Sequence, residues 1–123
     1  MTNAVNWFEI PVKNFDRAKK FYSIILGEEV IDAPMEGMKY GILPHDKESQ
    51  GVGGGIVEMD GYAPSQEGSL VYLNGGVDLE LPLSRVERAG GKIVMPKTAI
   101  GEDGFIAQFL DTEGNKVAFH SMN

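Results

Sequence analysis

The chain has no cysteine, only two histidines, and no apolar run approaching the roughly 18 residues that a membrane-spanning helix needs. Without cysteine there can be no disulfides, thiolate nucleophiles or thiolate metal sites. Basic residues are also scarce: 11 Lys and Arg stand against 18 Asp and Glu, for a formal charge of −7. A nucleic-acid-binding protein needs clustered cations for the phosphates, and so does a protein that docks on an anionic membrane. Neither partner is expected. The segment Met1-Thr2-Asn3-Ala4-Val5-Asn6-Trp7 lacks a basic stretch followed by an apolar one, so no signal peptide is visible and a cytoplasmic location is expected.

What is present describes an ordinary globular chain. Its 123 residues are 42% hydrophobic and 24% charged, enough for a real core and too few for two independent domains. Residues 1–123 are therefore expected to form a single domain. Val5 to Val12 alternates, with Phe8, Ile10 and Val12 on one face and Trp7 and Glu9 on the other. Asn14 is a plausible N-cap for a helix carrying Phe15, Ala18, Phe21, Tyr22, Ile25 and Leu26, and Gly27 is placed to end it. Strand-like pieces follow at Glu28–Ala33, Gly37–Leu43 and about Gly54–Met59.

After the turn-rich segment Asp60–Gly68 the order begins again. Ser69–Leu73 reads as a strand and Asp78–Ala89 as a helix ending in Gly90-Gly91, with Pro82 leaving its start uncertain by one turn. Lys92–Met95, Gly104–Leu110 and Lys116–Ser121 supply three more strands, the last two joined by the turn Asp111-Thr112-Glu113-Gly114-Asn115. The fold class is thus α+β: two βαβββ modules, about 4–60 and 68–122, forming half-barrel sheets with helices outside and a concave cavity inside. Gly53-Gly54-Gly55 is no phosphate loop, since no Lys-Ser/Thr follows and it leads into a strand. His45, in the Pro44–Gln50 turn, reads as a surface residue, and Lys47-Glu48 and Arg85-Glu87-Arg88 as solvated charges. No Ser–His–acid set is supported by a motif.

Three separated signatures then carry a resemblance. Phe8-Glu9-Ile10-Pro11-Val12 with Asp16-Arg17-Ala18-Lys19-Lys20-Phe21-Tyr22 and Leu26-Gly27 resembles the first strand and helix of the vicinal oxygen chelate superfamily, the glyoxalase, bleomycin-resistance and extradiol dioxygenase group. Leu79 through Ala89-Gly90-Gly91 resembles its second helix, and Phe109 through Val117 its final hairpin. Pro96–Gly101 and Phe119-His120-Ser121 are similar to an uncharacterised glyoxalase-like bacterial subgroup. The resemblance implies a homodimer. It also implies divalent-metal ligands on the first and last strand of each module, and these positions fall at Trp7, Glu58, Val71 and Ala118. Only Glu58 could ligate, so neither a metal nor another cofactor is expected.

The concave side is instead expected to carry Trp7, Glu9, Glu58 and His120, with Gln108 joining them by alternation against Phe105, Ala107 and Phe109. Each has a plainer reading: His120 as a structural histidine, Glu9 and Glu58 as surface carboxylates, and Trp7 as packing. Three functions remain open. The chain is a metal-free binder of a flat or aromatic small molecule, or an isomerase, lyase or epimerase using Glu9, Glu58 or His120 as acid–base groups, with or without a weakly held metal. The third reading is a regulatory or partner-binding domain without activity.

Overall fold

A computed structural model, which describes residues 3–46, 48 and 51–123, divides the chain into two units, Met1–Pro64 and Ser65–Asn123. The first runs β1 (Trp7–Pro11), α1 (Phe15–Leu26), β2 (Ile31–Asp32), β3 (Lys39–Ile42) and β4 (Gly53–Glu58). The second runs β5 (Val71–Asn74), α2 (Glu80–Leu83), β6 (Lys92–Ala99), a 3₁₀ turn (Gly101–Asp103), β7 (Phe105–Leu110) and β8 (Lys116–Ser121). Each is a βαβββ module with a four-stranded mixed sheet, ordered β1-β4-β3-β2 in the first and β5-β8-β7-β6 in the second. First and last strands run parallel in both, the connection that the intervening helix makes possible.

Helix α1 forms where the sequence predicts it. The Asn14 side chain accepts the Arg17 N–H at 3.1 Å, and Gly27, at φ 74°, closes the helix with its N–H to Ser23 and Ile24. Phe15, Ala18, Phe21, Tyr22 and Ile25 form its buried stripe. A side chain of that kind contributes about 1.5–3 kcal/mol when fully buried, which outweighs the modest intrinsic helix preference of a 12-residue segment. The helix covers the sheet face bearing Ile10 and Ile56, which are register partners. Gly41 lies on that face too, where any Cβ would stand 2.7 Å from Val30 and 3.2 Å from the Phe15 ring.

Three elements differ from expectation. The second helix was expected over Asp78–Ala89, yet regular α-helix covers only Glu80–Leu83. From Arg85 on, Arg85, Val86 and Gly90 bond three residues back, so residues 84–90 continue as tight turns. The apolar stripe survives the change, with Leu79, Leu83 and Val86 buried. The strand expected at Glu28–Ala33 shrinks to Ile31–Asp32, whereas the one expected at Lys92–Met95 extends to Ala99. Pro96 is tolerated in β6 because β6 is an edge strand whose pairing with β7 is interrupted by register shifts.

The turn after β7 is built around Asp111. Its Oδ1 accepts the N–H groups of Glu113 and Asn115, each at 2.8 Å, and its Oδ2 accepts the Asn115 side-chain amide at 2.9 Å. Asn115 in turn accepts the Ser65 N–H at 2.9 Å, pinning the first residue of the second unit to its last hairpin.

Candidate functional site

In each module one sheet face meets the helix and the other is open to site chemistry. In the first unit, register pairs Trp7 with Gly53 and Glu9 with Gly55, on the face opposite Ile10 and Ile56. Tyr40 pairs with Val57 and lies on that same open face, its ring over Gly55. His45 lies over Gly53, where a Cβ would come within 2.6 Å of its ring. Gly54, between them, leaves the same room on the helix side for Phe8, at 2.5 Å. The glycine run of β4 is therefore a strand stripped of side chains so that aromatic rings can lie against its backbone on both faces.

The open face carries a directed hydrogen-bond chain. The Trp7 indole N–H can only donate, and it donates to the Tyr40 hydroxyl at 2.7 Å. The Tyr40 O–H then donates to Glu9 Oε2 at 2.9 Å. Tyr40 is only 4% exposed, and burial foremost raises its pKa above the usual 10.0, so the phenol stays protonated and the Glu9 carboxylate is the acceptor. His45 meets the Trp7 ring edge-to-face, with centroids 5.8 Å apart, and its Nδ1 donates to the Leu43 carbonyl at 3.1 Å. Trp7 remains 42% exposed and Glu9 exposed, so the chain ends in groups a ligand can reach.

Glu58 lies elsewhere. It shares β4 parity with Gly54 and Ile56, the helix side, and its Oε1 accepts the Phe15 N–H at 2.7 Å, the first N–H of α1. The expectation that it shares a face with Trp7 and Glu9 is thus corrected: the carboxylate is placed at the positive end of a helix. The second module repeats the device. The Ser121 hydroxyl, at the end of β8, accepts the Leu79 N–H at 2.9 Å just before α2. Glu58 and Ser121 are each the sixth and last residue of the closing strand of their module.

In the second unit, Ile106 and Asn74 both pair with His120, while Ala118 is shared by Gln108 and Tyr72. These residues lie opposite the buried Phe119, Ala107 and Leu73, so Gln108 and His120 share the open face of this sheet. A cavity of about 760 Å³ is lined by Tyr72, Asn74, Ile100, Ile106 and Met122 around His120. His120 Nε2 lies 2.6 Å from the Asp103 carbonyl, which ties β8 to the 3₁₀ turn. Gln108 does not line this cavity.

The four positions at which the resemblance implies metal ligands do not form a donor set. Trp7 has no lone pair to offer and spends its N–H on Tyr40, and Glu58 holds α1. Val71 and Ala118 carry no donor atoms. Counted from the start of the closing strand, the partner of Ala118 in the first module is Gly55, also without a donor. Among the described residues, no three His, Asp or Glu side chains gather where they could hold an ion. Sequence reasoning missed Tyr40 and His45, whose only trace in the chain was the pair of glycines that make room for their rings.

Solved structures share this fold at low identity. A glyoxalase I mutant of Zea mays superimposes with a TM-score of 0.71 at 21% identity, over 94% of this chain and 45% of that one. The present chain thus spans less than half of the maize protein. A glyoxalase/bleomycin resistance protein/dioxygenase family enzyme from Burkholderia phytofirmans gives 0.70 at 12% identity, over 96% of this chain and 98% of that one. A glyoxalase/bleomycin resistance protein from Albidiferax ferrireducens gives 0.68 at 15% identity, over 98% and 100%. No curated protein matches. The family model for the Glyoxalase/Bleomycin resistance protein/Dioxygenase superfamily matches residues 4–119, nearly the whole chain, and the protein belongs to that superfamily.

Proposed function

We infer that this protein binds a small, flat organic molecule on the open faces of its sheets and does so without a metal. The observation that carries the reading is the Trp7–Tyr40–Glu9 chain. It fixes an exposed indole beside a carboxylate at a position where the resemblance implies a metal ligand. A rigid aromatic wall with a few oriented polar groups is what recognition of a planar molecule needs. The apolar residues around His120 in the second unit, in a cavity of a size that suits a small molecule, support the same reading for that face. In this reading Trp7, Glu9, Gln108 and His120 are ligand-binding residues, and Glu58 positions α1.

Trp7 is the sole tryptophan, so its fluorescence reports directly on the first face. Titration with a panel of planar aromatic and heteroaromatic compounds is expected to quench or shift that emission saturably for at least one chemotype. The substitution Trp7→Ala should weaken its binding, measured by calorimetry, by about three- to tenfold, the worth of one aromatic stacking contact. A panel that leaves both emission and heat unchanged would overturn the reading.

A further inference from the structure

We propose that the open face of the first sheet is a site for an organic cation rich in N–H donors, an amidinium or ammonium carried on a flat apolar body. This deepens the reading above and rests on it. The cluster of Trp7, Glu9, Tyr40 and His45 has three side-chain donors, and each is already spent. The indole N–H is given to Tyr40, the phenolic O–H to Glu9, and the His45 Nδ1–H to the Leu43 carbonyl. Every donor of the cluster is therefore consumed internally.

The atoms left over can only accept. Glu9 Oε1 and His45 Nε2 have no hydrogen-bond partner among the described residues, and in the uncharged imidazole ring Nε2 is an acceptor. The electron-rich indole of Trp7, 42% exposed, is joined to both groups, to Glu9 through Tyr40 and to His45 by the ring contact. Glu9 is held in place by Tyr40, so a ligand need not order that side chain on binding. A carboxylate ligand would meet a carboxylate and no free donor, and a neutral amide would satisfy the acceptors but leave the charge unanswered. A delocalised cation with in-plane N–H groups answers Glu9, reaches His45 and stacks on Trp7 together.

The test uses three matched probes, benzamidinium, benzamide and benzoate, titrated into the full chain with Trp7 fluorescence and calorimetry as readouts. The expected result is that benzamidinium binds about tenfold tighter than benzamide, with benzoate weakest, as one carboxylate contact plus a cation–aromatic contact implies. Glu9→Gln, which keeps an acceptor for Tyr40 but removes the charge, should abolish the preference with an unchanged circular dichroism spectrum. Raising salt on the unaltered chain should weaken benzamidinium alone, and needs no variant to fold. Benzamide or benzoate binding as tightly as benzamidinium would overturn the proposal and leave the small-molecule reading standing, as would a preference that survives Glu9→Gln or is indifferent to salt. Failure of all three probes up to about 10 mM, a bound on millimolar affinity, would overturn the cation proposal, and failure of the wider planar panel as well would remove the reading beneath it.

Discussion

Tyr40 is the residue on which the first open face is organised, because it alone joins an obligatory donor to an obligatory acceptor. Replacing it by Phe leaves the ring over Gly55 and removes only the hydroxyl. Trp7 and Glu9 are exposed enough for water to replace the lost partner, so Tyr40→Phe should cost about 1 kcal/mol in urea denaturation at neutral pH. The pH dependence has a definite sign. Burial, the leading cause, raises the Tyr40 pKa above 10.0, so the folded chain keeps a proton that the unfolded chain releases. Stability should then fall as pH rises through the unfolded value, and the Phe variant should lack that part of the alkaline decline. Of this residue-scale picture, Trp7 and Glu9 were legible because strand alternation is local. Tyr40 and His45 were not, since they reach β1 from 33 and 38 positions away, which no local pattern records.

At the scale of elements, the closing strand of each module both supports the sheet and holds an N–H at the start of its helix, that of Phe15 in the first and that of Leu79, just before α2, in the second. Glu58→Ala and Ser121→Ala should each lower stability by about 1–2 kcal/mol, as loss of a helix-start acceptor does, while Glu58→Ala leaves ligand affinity on the open face of the first sheet unchanged. Chemical denaturation and calorimetric titration of the same two variants check both halves of that statement; a loss of affinity with stability intact would return Glu58 to the ligand. The strand and helix order could be read from periodicity and turn chemistry, and the caps Asn14 and Gly27 could be read residue by residue. The face of Glu58 could not, because parity must be counted from a strand start that three consecutive glycines conceal. The shortened α2 shows the opposite failure: the apolar stripe of Leu79, Leu83 and Val86 has helical spacing, but from Arg85 the backbone beneath it turns to bonds three residues back.

At the scale of the whole molecule, each four-stranded sheet ends on open edges, β1 and β2 in one and β5 and β6 in the other. Apolar side chains lie exposed on all four: Trp7 on β1, Ile31 on β2, Tyr72 on β5 and Val94 on β6. Unprotected edges of this kind favour pairing with a second copy, and we expect a homodimer. Sedimentation equilibrium in the micromolar range should give twice the chain mass of 13.4 kDa, and a single-chain mass throughout would contradict it. No helix among the described residues is long and apolar enough to cross a membrane.

Ligand binding that depends on Trp7 and its partners, and not on an ion, should survive removal of metal. The most direct measurement is a calorimetric titration of one planar ligand into the chain before and after exhaustive chelation, with metal content determined by mass spectrometry on both samples. The expected result is the same affinity within about twofold, the reproducibility of a binding constant, since no group proposed to recognise the ligand is a metal ligand. Binding that disappears on chelation and returns with one equivalent of zinc, nickel, manganese or iron would contradict it.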